Sequence, residues 1–191
     1  MINIGAKKIN AKYFIFGDAK YQFDFDSFAK LTKYAQQLEP HFHPDEIPLL
    51  NQYDQIDLTP EGINGFVTVI NGNDYKPEPS TIFQVYFLSV KYGISDLTSG
   101  LSNFIQSNLP EDQKLDFLIS SLDFKSKLQS IYKDDHGEPY ISELLNFANN
   151  LASEETLFSQ SLQTYIVNHS DKLFNLGVPS LFRIFHKYFK E

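Results

Sequence analysis

The chain has 191 residues, 42% of them hydrophobic and 21% charged, a make-up that suits one compact fold or two small ones and excludes a disordered chain. Its 24 acidic against 16 basic residues leave a net charge of −8, and no basic cluster runs longer than Lys7-Lys8, so phosphate backbones and anionic membranes are disfavoured as partners. The absence of cysteine excludes a disulfide framework, a thiol nucleophile and a thiolate metal site.

In chain order, Tyr13 to Gly17 is a β-rich run and Lys20 to Phe25 alternates, with Tyr21, Phe23 and Phe25 on one face and Gln22 and Asp24 on the other. The two runs read as a hairpin around Gly17-Asp18-Ala19. Asp26 or Ser27 then caps a predicted helix through Leu38, with Phe28, Leu31, Ala35 and Leu38 at helical spacing. Pro40, Pro44 and Pro48 predict a loop over 39–50, followed by a strand from Tyr53 to Leu58. Thr59-Pro60-Glu61 is a helix start, combining a capping hydroxyl, a first-turn proline and an acid at the positive end. The helix carries Ile63, Phe66, Val67 and Ile70 and stops at Asn71-Gly72. Its Gly62 and Gly65 cost about 1 kcal/mol each against alanine, so packing must hold it.

After Pro77 and Pro79, Ser80 caps a predicted helix with Phe83, Tyr86, Phe87 and Val90 inward, ending at Tyr92-Gly93. Ser95 or Asp96 opens the next, with Leu97, Leu101, Phe104 and Ile105 on its apolar side. From Pro110 strand signals vanish, and helices are predicted over 110–122, 123–132, 140–151, 153–168 and 179–190. The shift from mixed to all-helical near residue 108 divides the chain into 1–108 and 109–191. The N-terminus shows no signal peptide, and the longest apolar stretch, Ile82 to Val90, is too short to span a bilayer. A cytoplasmic or nuclear location is expected.

The first half resembles the BTB/POZ family, whose core is a strand pair, a helical hairpin, a further strand and more helices. Tyr21, Phe23, Phe28, Thr32 and Tyr34 follow its opening pattern. Leu58-Thr59-Pro60-Glu61, then Ile70-Asn71-Gly72 with Tyr75, then Ser89 to Ile94 with Leu97 follow its middle. The second half is similar, more loosely, to the helical BACK extension, through Tyr165-Ile166, Leu173-Phe174 and Leu176 to Leu181. The resemblance implies an α+β fold, a BTB/POZ-like domain of short strands and helical hairpins with an all-helical BACK-like extension packed on it. It also implies a non-catalytic adaptor that binds protein partners and itself as a homodimer. The implied dimer contact combines the arm with Ile2 and Ile4 and the first helix with Phe28, Leu31 and Tyr34. A cullin-type ligase scaffold is the less favoured partner, because residues 40–56 hold a single glutamate, Glu46, with Pro44 two before it.

Other chemistry has little to stand on. His41-x-His43-x-Asp45-Glu46 is the densest set of metal-ligand types, and a metal-dependent hydrolase or metal-binding protein built on it is the rival reading. A proline-rich surface loop explains the same residues, so no metal or cofactor is expected. Asp134-Asp135-His136-Gly137-Glu138 lacks the 12-residue frame of a calcium loop and reads as a solvated connection. No nucleophile elbow or phosphate-binding glycine loop is present, so no catalytic residue is assigned.

Overall fold

The computed structural model describes residues 10–32, 35, 45–50, 54, 56–131, 142–144, 146, 147 and 150. Strands β1 (Ala11–Phe16) and β2 (Ala19–Asp24) pair antiparallel, from Phe16 opposite Ala19 to Ala11 opposite Asp24. Gly17, at φ +58°, is the first central residue of the two-residue turn, the position a type II′ hairpin reserves for glycine. Alternation sends Phe14 and Phe23 into the core, where their rings stack at 4.3 Å, and leaves Lys20 and Gln22 exposed.

Helix α1 (Phe25–Leu31) corrects the expected start at Asp26 or Ser27 and the expected run to Leu38. The chain turns directly from strand to helix. The Asp24 amide donates to Asn71 Oδ1 at 2.8 Å and the Phe25 amide to the Asn10 carbonyl at 2.8 Å. At the other end Thr32 is extended, and its buried hydroxyl donates to the Tyr92 carbonyl, so α1 stops there. Of the remaining expected helix, Ala35 is helical, as expected, and fully buried, while Leu38 lies outside the described residues.

Strand β3 (Glu46–Pro48) lies within the span expected to be loop and pairs parallel to β1, giving the sheet order β2-β1-β3. The prolines concealed it. Tyr13 donates to Asp45 and Leu49 to Ile15, so β3 bonds to β1 through its odd-numbered positions. The nitrogen of Pro48 then falls on the outer edge, where no donor is needed. Conversely, the described residues of the expected strand Tyr53 to Leu58, Asp54 and 56–58, are not in a strand. Asp54 instead turns inward to pair with Lys91.

The Thr59-Pro60-Glu61 start holds: Thr59 Oγ1 accepts from the Gly62 amide at 3.2 Å, with Pro60 opening α2 (Pro60–Ile70). Gly72, at φ +76°, closes α2. Its amide donates to Val69 and that of Asn73 to Thr68, the paired bonds of a Schellman motif. Helix α3 (Ile82–Lys91) ends the same way at Gly93, and its N-cap is Thr81 rather than the expected Ser80. Helix α3 is central, with Ile82, Val85, Tyr86, Phe87, Leu88 and Val90 all buried. Helix α2 reaches it closely because a Cβ on Gly62 would sit 2.0 Å from Gln84 Oε1, the atom that accepts from the Thr59 amide.

Helix α4 (Ser95–Asn108) buries Thr98, Leu101 and Ile105, with Leu97 and Phe104 half-buried. Its Gly100 is exposed, and a Cβ there would meet nothing within 4 Å. Gly100→Ala is therefore expected to raise stability by about 0.5–1 kcal/mol, read as a higher urea midpoint at unchanged slope. Helix α5 (Glu111–Ile131) is continuous, correcting the two helices expected at 110–122 and 123–132; no glycine or proline interrupts it. The backbone is helical again at 142–144, 146, 147 and 150, within the helix expected over 140–151. The helices expected at 153–168 and 179–190 lie outside the described residues.

The protein is thus a mixed α+β fold, a small three-stranded sheet carrying helices. One apolar cluster runs from Phe14 and Phe23 through α2 and α3 to Leu115, Phe117 and Phe124 of α5 and on to Leu144, crossing residue 108 without interruption. Among the described residues no helix is long and apolar enough to cross a membrane.

Candidate functional site

Two concave sites stand out, both against α3. The first is a groove of about 270 Å³ formed by Ile56 and Asp57, by the turn and first residues of α3 from Pro79 to Gln84, and by one face of α5. Local chemistry fixes each wall. The Thr81 and Ile82 amides both donate to the Glu78 carbonyl, at 3.1 and 2.9 Å, which starts α3 directly after the Pro79-Ser80 turn. Gln84 Oε1 ties that turn to the start of α2 by accepting from the Thr59 amide at 2.9 Å and from its hydroxyl at 3.1 Å. On α5, residues 116, 120 and 123 recur at helical spacing and so share one face, as do 117 and 124.

The floor of this groove is aromatic and its rim acidic. Phe83 is half-buried and meets Phe117 edge-on at 5.4 Å, while Phe124 meets Phe87 edge-on at 5.2 Å. Asp57 is exposed, and Asp116 and Asp123 are half-buried. No lysine or arginine occurs among the described lining residues. A volume of about 270 Å³ falls below the range of about 300–1,000 Å³ usual for small-molecule pockets. The space suits one or two side chains of a larger partner.

The second site is a broad cleft of about 600 Å³ between α4 and the helical residues Ser142, Glu143, Asn146, Phe147 and Asn150. Hydroxyls and amides dominate it, among them Thr98, Ser102, Asn103 and Asn146, with Glu143 the one charged residue of its described lining. At its base Tyr86 is 1% exposed, stacks on Phe147 at 4.9 Å and meets Phe117 edge-on at 5.3 Å. Burial pushes the Tyr86 phenol up to about 12. Ser102, whose hydroxyl donates to it at 3.4 Å, opposes the shift, and Glu143 adds to it. Because the folded phenol holds its proton past the ordinary value of 10.0, the unfolded chain ionises first. Stability is expected to fall as pH rises from about 10 to about 12, and urea midpoints of Tyr86→Phe should fall less over that window. Equal falls in both proteins would show that the phenol is not held by burial.

The residues expected at a dimer contact are placed as follows. Phe28 has no exposed surface and sits among Phe14, Phe23 and Tyr92. Leu31 is half-buried at the end of α1. Ile2, Ile4 and Tyr34 lie outside the described residues, as do His41, His43 and the 133–139 loop. Among the described residues no three His, Asp or Glu side chains are grouped to hold a metal ion. The sequence did not single out Phe117, which joins the two concave sites. Helix α5 buries Leu115, Phe117, Leu118, Ile119 and Ser121 on more than one face, so no single stripe pointed to it.

Comparison of the chain with protein-family models, with curated proteins and with solved structures yields no match in any of the three.

Proposed function

We propose that the chain is a non-catalytic protein–protein interaction adaptor, BTB/POZ-like in its first half, that self-associates and holds a protein partner. The observation that supports this reading is the order of elements. A hairpin is followed by α1, then by β3 joining β1 in parallel, then by α2, α3 and α4. The sequence resemblance implies a strand pair, a helical hairpin, a further strand and more helices; among the described residues α1 stands where that hairpin is expected. The further strand, β3, lies at Glu46–Pro48 and not at the expected 53–58. The BACK-like character of residues 109–191 belongs to the same proposal, as does a location in the cytoplasm or nucleus.

Self-association is tested by multi-angle light scattering over a dilution series, with metal analysis of the same sample. A mass of two chains that falls to one on dilution, with no stoichiometric metal, is the expected result. A single-chain mass at the highest concentration would remove the dimer from the proposal. Stoichiometric bound metal would favour the rival reading built on His41 and His43.

A further inference from the structure

We infer that the groove between the start of α3 and α5 docks a segment of a partner protein that presents one large apolar side chain flanked on both sides by Lys or Arg. The inference rests on the adaptor role proposed above and names the chemistry of the partner. Three observations lead to it. The groove has an apolar floor with Phe83 and Ile56 still half-exposed, which favours burial of an incoming apolar side chain. Its size suits a side chain better than a free small molecule.

Its rim carries Asp57 on one wall and Asp116 and Asp123 on the other, the last two separated by two helical turns, about 10 Å along α5. That separation spaces two cations to either side of a central side chain. The three carboxylates also interact within the chain. A carboxylate offers about four acceptor sites, so an internal partner leaves capacity for an incoming ammonium or guanidinium. At the start of α3 the Thr81 and Ile82 amides are occupied by the Glu78 carbonyl. A net charge of −8 adds long-range attraction for a basic segment.

The test uses the full chain and a fluorescent, end-capped helical peptide of about twelve residues with one Phe and a Lys one turn to either side. Binding is read by anisotropy and located by amide shifts in NMR spectra. Expected is saturable binding that perturbs the amides of residues 79–84 and 116–124. Binding should weaken about two- to fivefold for each of Asp116→Asn and Asp123→Asn, the scale of exposed ion pairs. It should weaken further as salt shortens the screening length from about 30 to about 3 Å. A Lys→Glu peptide and a Phe→Ala peptide should both bind at least about tenfold more weakly than the parent peptide. The two Asn variants keep the side-chain shape, and their urea midpoints check that the fold is intact.

Equal binding of the Lys→Glu peptide, shifts confined to other surfaces, or no binding at millimolar peptide would each overturn the inference. Light scattering on the same samples separates the two readings. A self-associating chain that ignores the peptide removes the groove assignment and leaves the adaptor reading. A monomer that binds the peptide through the groove removes self-association alone.

Discussion

Replacing Phe28 by alanine is expected to lower the unfolding free energy by about 3–5 kcal/mol. The ring is 0% exposed and makes three edge-on contacts, with Phe23 at 5.4 Å, Tyr92 at 5.7 Å and Phe14 at 5.8 Å. Edge-on pairs add about 0.5–1.5 kcal/mol each beyond area burial, so truncation removes packing and ring geometry together. These partners come from both hairpin strands and from the end of α3, so the cavity cannot be closed by a shift of α1 alone. Urea denaturation at several protein concentrations checks this. A core residue lowers the midpoint equally at all concentrations, whereas a contact between copies acts through association and makes the loss concentration-dependent. A loss below about 1 kcal/mol with a change in oligomeric mass would return Phe28 to an interface. With Phe28 in the core, the dimer proposal rests on surface other than this ring, with Leu31 at the end of α1 the half-buried candidate among the described residues.

Legibility in the sequence followed how local the determining interaction is. The hairpin was readable because Gly17 and the alternation of Tyr21, Gln22, Phe23 and Asp24 act within a few residues. The start of α2 was readable for the same reason: Thr59, Pro60 and Glu61 carry their whole effect in one turn. The ends of α1 were not, since they depend on Asn71 and Tyr92, which lie 47 and 60 residues away from their partners Asp24 and Thr32. Strand β3 was hidden for a geometric reason. The three prolines of 39–50 and the strand's short length spell loop, and only the side of the chain facing β1 decides that Pro48 is tolerated. Gly62 gave a cost in the sequence and its reason only in the structure, where α3 packs too close for a Cβ. The groove was legible in its parts, as Phe83 on α3 and a helix over 110–122. Its closure depends on α5 running unbroken past residue 122, which brings Asp123 and Phe124 onto the same face as Asp116 and Phe117.

The ion pair between Asp54 and Lys91 should be the most sensitive polar contact in the fold. The Asp54 side chain is 0% exposed and that of Lys91 10%, which places both charges largely out of water. Lys91 sits in the last turn of α3, where the helix dipole favours a cation, and its ammonium lies 5.9 Å from the Tyr92 ring. Lys91→Met leaves a buried carboxylate without its cation and is expected to cost about 3–5 kcal/mol, with Asp54→Leu similar in size. The double variant tests whether the cost belongs to the pair or to the volume. Two apolar side chains restore packing with no charge to desolvate, so the double variant should cost less than either single one. A urea-denaturation cycle over the four proteins gives the coupling directly. Additive losses with no coupling would mean that each charge is satisfied separately, by water or by other groups, and that the pair does not fix Asp54 in its buried place. Strong coupling would identify it as the tether that draws the chain away from β3 and delivers Thr59 to the start of α2.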